Sequence, residues 1–359
     1  MQHLAQRLER GEALLGAAVC APARPFLAAL LHKKFPERPL VIVTDSLKPQ
    51  EIFQQDLETW LQVAGRKSPL DAHEDKTSNL QSSTFNPLFY PAWEIFPHED
   101  KLPHADVISD RLQTLIALAE NSKLKTKNSK LVVTSVAALL QKTFAPEDLK
   151  HRLRQLQRGD QTAPLDLIEW LETQGYEPEA QVTQKGEIAM RGGIVDVFPP
   201  TSPWPVRLEF FGDELESLRE FDPLTQISRG EISSLTLPPA GELGILKQEL
   251  ERGLQAASTT AVNALSNIPK PLDNAALKRP ESRAPLATLL DYLPRETLFL
   301  LCEPDALAVH AENYAQQIPK DDPFFIAWPD FLIDLNRRGF TSIELLNDGE
   351  LPLTPALSK

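Results

Sequence analysis

Apolar positions along the first third of the chain alternate between two periods. Pro39-Leu40-Val41-Ile42-Val43-Thr44-Asp45 is an unbroken apolar run closed by a polar pair, the pattern of a parallel strand buried on both faces. Ile52, Phe53, Leu57, Trp60 and Leu61 then recur at helical spacing and predict a helix with one apolar stripe. Leu88-Phe89-Tyr90 reads as a strand stopped by Pro91, and 106–120 as a helix with Ile108, Leu112, Leu115, Ile116 and Ala119 inward. Leu131-Val132-Val133-Thr134 is another buried strand, while 71–84 and the lysine-rich 121–130 are polar and loop-like. Strands alternating with helices predict an α/β layer with parallel pairing.

The pattern changes near Leu149. Residues 150–157 mix charge with apolar positions, and Gly159-Asp160 forms a turn. Thr162 is set to cap a helix, with Pro164 in its first turn and Gly175 just past its end. Residues 187–198 and 205–221 read as antiparallel strands, the second divided at Gly212-Asp213 by a hairpin turn. A small α+β module over about 148–238 is therefore expected, inserted between 1–147 and 239–359. Residues 252–284, rich in Ala, Ser, Asn and Pro, predict a variable insertion or loose helices. The helix–strand rhythm returns from Pro285, with strands over 297–302 and 342–346.

Composition narrows the function classes. The longest apolar run, Leu298-Phe299-Leu300-Leu301-Cys302, falls far short of the roughly 20 residues needed to span a bilayer. The opening residues, MQHLAQRLERGE, lack the apolar stretch of a secretion signal, so a soluble, cytoplasmic protein with no membrane partner is expected. Cys20 and Cys302 make neither a disulfide framework nor a zinc site, and their apolar neighbours predict buried thiols. Thirty-seven basic against fifty acidic residues leave a formal net charge of −13, a field that repels a phosphate backbone unless cations cluster locally.

Candidate chemistry is sparse. A phosphate loop has the frame G-x-x-x-x-G-K-[ST], in which glycines let backbone amides wrap the phosphates, lysine neutralises them and a hydroxyl holds magnesium. Residues 16–23 occupy that frame with Gly16 retained, but Ala21, Pro22 and Ala23 stand where glycine, lysine and hydroxyl belong. Pro22 also removes a backbone donor. The companion element, an apolar strand ending in Asp-Glu, here ends in Cys302-Glu303. Both half-sites are altered together, which predicts a nucleotide-binding scaffold without activity, no catalytic residues and no cofactor. His98, Glu99, Asp100, His104 and Asp106 could be drawn as metal ligands, but they match no zinc spacing, and a hydrated loop is expected. Lys123, Lys125, Lys127 and Lys130 lack interleaved aromatics and read as a solvated loop, and Trp93 and Phe96 read as core.

A sharper candidate is the strand from Val206 to Phe211. Alternation sends Val206, Leu208 and Phe210 to one face and Arg207, Glu209 and Phe211 to the other. Arg191, before the Gly192-Gly193 break on the preceding strand, can join Arg207 on that face. Pattern alone leaves two readings. The face is a docking surface anchored by an aromatic beside arginines, or it is a solvated face on which Phe211 tucks under a loop and the arginines pair with Glu209 or Glu187.

The segments GEIAMRGGIVDVFPP (186–200) and WPVRLEFFGDELESLREFDPLTQ (204–226) resemble the UvrA-binding domain of the UvrB/transcription-repair coupling factor family. Supporting likeness runs through 14–18, 89–115 and 289–307, and the short connection from Trp93 to the 106–120 helix resembles the coupling factors. UvrB proper carries a longer Tyr-rich, DNA-gripping insertion there. The resemblance implies an α/β fold: a degenerate P-loop, helicase-like domain with a parallel sheet, carrying an inserted α+β UvrA-binding domain. It implies UvrA as partner, with Arg191, Arg207, Phe211 and Glu209 on the contacting face, in a non-catalytic recruitment role that couples stalled transcription to nucleotide excision repair. RNA polymerase and DNA would then be engaged through regions outside this chain. The alternatives are a UvrB-like DNA-damage-binding module and a nucleotide hydrolase with an atypical phosphate loop.

Overall fold

The computed structural model describes residues 14–16, 19–65, 86–121, 130–266 and 286–346. The loops expected at 71–84 and at Lys123, Lys125 and Lys127, and the 267–284 part of the expected insertion, lie outside them. The chain divides into two units, one of 1–98, 113–142 and 292–359, the other of 99–112 and 143–291.

In the first unit six strands form an all-parallel sheet: β1 (Leu14–Gly16), β2 (Leu40–Thr44), β3 (Leu88–Tyr90), β4 (Leu131–Ser135), β13 (Leu298–Cys302) and β14 (Thr341–Leu345), in the order β1-β14-β13-β2-β4-β3. Every residue of β2, β4 and β13 is buried, as continuous apolar runs require when both sheet faces are covered. Helices Arg24–Lys34 and Leu47–Gly65 cover one face, packing Ala28, Leu31, Phe53 and Leu57 against Ile42, Val133 and Leu300. Trp60, read as part of that inner stripe, is 37% exposed, and Ile52 is 52% exposed. The Leu47–Gly65 helix therefore carries apolar residues on an outer face as well. Trp93 is buried as expected, and Phe96 is half-buried, stacked on His98. Among the described residues no helix is long and apolar enough to cross a membrane.

The second unit is built on a sheet of β6 (Glu177–Pro178), β7 (Glu187–Arg191), β8 (Ile194–Val197), β9 (Val206–Phe211), β10 (Glu214–Phe221) and β11 (Ser228–Glu231), in the order β11-β10-β9-β8-β7-β6. Its pairings from β7 to β11 are antiparallel, and β5 (Arg154–Gln157) pairs with β12 (Ser234–Leu237) separately. Ile188, Val195, Val197, Val206, Leu208, Leu215 and Leu218 form the inner face, against Leu167 and Leu171 of helix Pro164–Thr173 and Tyr176 beyond it. That helix is not capped by Thr162. Ala163 holds the N-cap position without a side-chain bond, and the Thr162 hydroxyl instead accepts from Arg154 Nη2 at 3.2 Å. Gly175 adopts a positive φ of 85° just past the helix end, as its position predicted.

This unit is larger than the expected 148–238. Glu242 accepts from Arg111 Nε and Nη2 at 2.7 and 3.0 Å and from the Thr143 hydroxyl at 2.7 Å, with both charged side chains fully buried. Ala240 N and Gly241 N donate to the Gln174 carbonyl. These bonds bring 99–112 and the head of helix Leu243–Ser266 into the same body. Within the segment expected as a variable insertion, 252–266 continues that helix.

Candidate functional site

The outward face of the second unit's sheet carries the residues singled out above. Cross-strand partners share a face, and the register gives two adjoining rows. Arg191 lies opposite Ile194, Ile194 opposite Glu209 and Glu209 opposite Ser217. In the next row Ala189 lies opposite Asp196, Asp196 opposite Arg207 and Arg207 opposite Arg219. Arg191, Arg207, Glu209 and Phe211 therefore do share one face.

They are not equivalent. Arg207 donates from Nε and Nη2 to the two oxygens of Asp196, both at 2.8 Å, and its guanidinium lies 4.7 Å from the Phe221 ring centre. The bond to Asp196 holds the Arg207 pKa above its ordinary value against partial burial. The pairing expected with Glu209 or Glu187 goes to Asp196 instead, because the register sets those two side by side. Arg191 is exposed and its Nη2 donates to the Ala180 carbonyl at 2.7 Å. Glu209 accepts from the Ser217 hydroxyl at 2.6 Å and pairs with Arg219 at 3.2 Å.

Phe211 does not tuck in. It is 76% exposed at the tip of the hairpin that turns through Gly212 and Asp213. The hairpin is fixed rather than loose. Thr162 N donates to the Asp213 carbonyl at 2.7 Å and Gly159 N to the Leu215 carbonyl at 2.8 Å. A Cβ on Gly193 would stand 2.8 Å from the Phe210 carbonyl oxygen, so only glycine permits this approach of the β7–β8 turn to β9. The face thus presents a rigid aromatic anchor, a neighbouring Ile194 at 36% exposure, and a mixed fringe of Arg191, Glu209 and Arg219.

The first unit holds a cleft of about 330 Å³ at the carboxyl ends of β2 and β13, where parallel sheets place ligand crevices. Ala21, Pro22, Cys302 and Glu303 meet there, so the segment compared above with a phosphate-loop frame and the end of the companion strand are neighbours. Gly16 ends β1, and Ala21–Ala23 forms a single 3-10 turn before helix Arg24–Lys34, with Ala23 outside the lining. Sequence reading missed Arg24. It lies one residue beyond the phosphate-loop frame, is 5% exposed, and donates from Nη1 to Glu303 Oε1 at 2.8 Å and from Nε to the Val19 carbonyl at 3.0 Å. Glu303 takes a left-handed backbone at φ 58° to close β13. Burial pushes the Cys302 thiol up to about 12, while Cys20, expected to be buried, is exposed. Thr44 Oγ1 is engaged with the Ser46 and Thr134 carbonyls, both at 3.2 Å. Among the described residues no three His, Cys, Asp or Glu side chains group to hold a metal ion, and His104 and Asp106 are exposed, 3.6 Å apart.

Residues 155–243 match the family model described as the UvrB interaction domain, a span that contains the whole outward face. The chain is similar to the transcription-repair-coupling factor of Haemophilus influenzae, at 33% identity over 59% of this chain and 19% of that protein. It is likewise similar to the transcription-repair-coupling factors of Mycobacterium bovis, at 33% over 62% of this chain and 19% of the relative, and of Bacillus subtilis, at 27% over 70% and 22%. The chain thus spans about a fifth of the length of these relatives.

Proposed function

We propose that this chain is a recruitment module in which the outward face of the second unit docks UvrA, coupling stalled transcription to nucleotide excision repair. The observation that carries the reading is Phe211, 76% exposed on a hydrogen-bonded hairpin inside the segment that matches the UvrB interaction domain. A large aromatic held exposed on a rigid element, beside an exposed arginine, has the composition of an interface hot spot. In this reading Arg191 and Phe211 touch the partner, Glu209 supplies a rim carboxylate, and Arg207 positions the face through Asp196.

The module acts without catalysis of its own. In its cleft Pro22 supplies no amide donor, the buried cation is paired with Glu303, and Asp45, Asp56 and Glu303 outnumber it. A polyphosphate entering there would meet net negative charge. Saturating magnesium-ATP should therefore leave the melting temperature unchanged, because only a ligand that binds the folded state raises it.

Calorimetric titration with UvrA, repeated with Arg191→Ala and Phe211→Ala, tests the docking. Each truncation is expected to weaken binding by roughly 2 kcal/mol or more, as hot-spot residues do. Absence of binding by the folded wild-type chain would overturn the reading.

A further inference from the structure

We propose that the outer face of helix Leu47–Gly65, together with the cleft beside it, is a second docking site, for a partner segment carrying an arginine next to a bulky apolar side chain. The site belongs to the first unit, shares no residue with the Phe211 face and does not rest on the UvrA reading.

Ile52, Asp56, Trp60 and Val63 follow one another at helical spacing on the flank of the helix that adjoins the buried stripe of Phe53 and Leu57. Ile52 and Val63 are each 52% exposed and Trp60 37%. Trp60 meets Phe26, itself 42% exposed on helix Arg24–Lys34, with ring centres 4.8 Å apart. Exposed apolar side chains are ordinary when scattered, but a contiguous ridge built around a paired Trp and Phe is the composition of a binding surface.

The ridge runs into the cleft, because Ile52 and Asp56 also line it. The cleft gives the occupant its charge. Among the described lining residues its carboxylates are Asp45, Asp56 and Glu303 against the single cation Arg24, whose Nη1 is bonded to Glu303. His310, 3.5 Å from Asp45, adds positive charge only when protonated. A volume of about 330 Å³, mostly walled by Pro22, Pro25, Ile52 and Phe53, suits a long side chain with an apolar stem and a cationic head. Arginine is that side chain, and its planar fork bonds carboxylates in pairs. The large apolar neighbour would lie along Trp60 and Phe26.

The probe is a short fluorescein-labelled peptide with arginine and leucine or tryptophan at helical spacing, followed by anisotropy against the full chain at low and at physiological salt. A glutamate-for-arginine version serves as control. Trp60→Ala should weaken binding by about tenfold or more, the usual effect at a hot spot. Asp56→Asn should weaken it by about threefold and flatten its salt dependence, as removal of one partly exposed charge does. Phe211→Ala should leave it unchanged. Val63→Glu, at a position 52% exposed, gives the same loss as Trp60→Ala without touching the core. Equal binding of the glutamate peptide, or undiminished binding by both Trp60→Ala and Val63→Glu, would overturn the proposal. So would displacement of the peptide by ATP, which would make the cleft a small-ligand site instead.

Discussion

Arg191 and Arg207 sit on one sheet face, and replacing each by methionine should separate a docking residue from a positioning one. Arg207 is 22% exposed at its side chain and Asp196 is 11% exposed, with two bonds of 2.8 Å between them. Hydrogen bonds to charged groups contribute about 1.5–3 kcal/mol net, and partial exposure trims the ionic part. The contact with Phe221 adds about 0.5–1 kcal/mol. Arg207→Met should therefore cost roughly 2 kcal/mol of local stability, since Asp196 is left desolvated without its guanidinium. Arg191, exposed and bonded to one carbonyl, should cost under about 0.5 kcal/mol. Hydrogen exchange read by mass spectrometry on β8 and β9 reports the opening free energy of this sheet directly. Faster exchange there is expected for Arg207→Met and not for Arg191→Met, with Asp196→Leu recovering part of the loss in the double variant, as residues in contact couple. Equal protection in the two single variants would refute the reasoning. Weakened UvrA binding should then accompany both changes, but only Arg207→Met should lose it in step with sheet protection.

Three further outcomes follow from buried or bonded groups. Arg111→Met should destabilise the second unit by about 3–5 kcal/mol in urea unfolding, because the Glu242 carboxylate stays buried without the guanidinium that balances its charge, and Arg111→Met with Glu242→Leu should be far milder. Iodoacetamide at mildly alkaline pH should label exposed Cys20 and spare Cys302, whose thiol burial pushes up to about 12, until denaturant opens the first unit. The carboxylate of Asp222 accepts from the Leu224 and Thr225 backbone amides, both at 2.9 Å, and those bonds hold its pKa below the ordinary value. That turn is fully stabilised above the unfolded carboxylate pKa and loosens as pH falls through the lower folded one. The Leu224 and Thr225 amide resonances should accordingly move at a pH below about 3.9, the ordinary carboxylate value, and a transition at or above that value would contradict the bonding.

What the sequence made legible follows from what each pattern records. The apolar runs of β2, β4 and β13 announce themselves because both of their faces are buried, and the β9–β10 hairpin does so because alternation and Gly212-Asp213 agree. Period-two alternation also put Arg207, Glu209 and Phe211 on one face, which Arg191 could join from the preceding strand. It could not say which carboxylate Arg207 would meet, since that depends on cross-strand register. The unit boundary was missed because Arg111 reads as one more polar residue on a helix, when it is the buried partner of a glutamate 131 positions away. Helical spacing predicts Trp60 inward because it counts apolar residues and cannot tell a core stripe from a second, solvent-facing one. Arg24 escaped because a motif is read inside its own frame.

These misses share a physical form, and it bears on the cleft. Each concerns a charge or aromatic whose partner is distant in sequence, where local propensity carries no information. Ala21, Pro22 and Ala23 depart from the phosphate-loop frame, and the structure places a buried cation directly after them. Arg24, entering from the next helix turn, is bonded to Glu303 at the end of β13. A buried guanidinium is costly unless paired, and here the pair joins the start of a helix to the end of the neighbouring strand's run. The ion pair therefore ties the head of that helix to the end of β13. Arg24→Met should leave Glu303 short of its partner and the Arg24–Lys34 helix less firmly attached. Greater hydrogen-exchange lability in that helix than in the Leu47–Gly65 helix is the expected result. Unchanged protection of the helix would show that the pair is incidental and that apolar packing of Ala28 and Leu31 suffices to hold it.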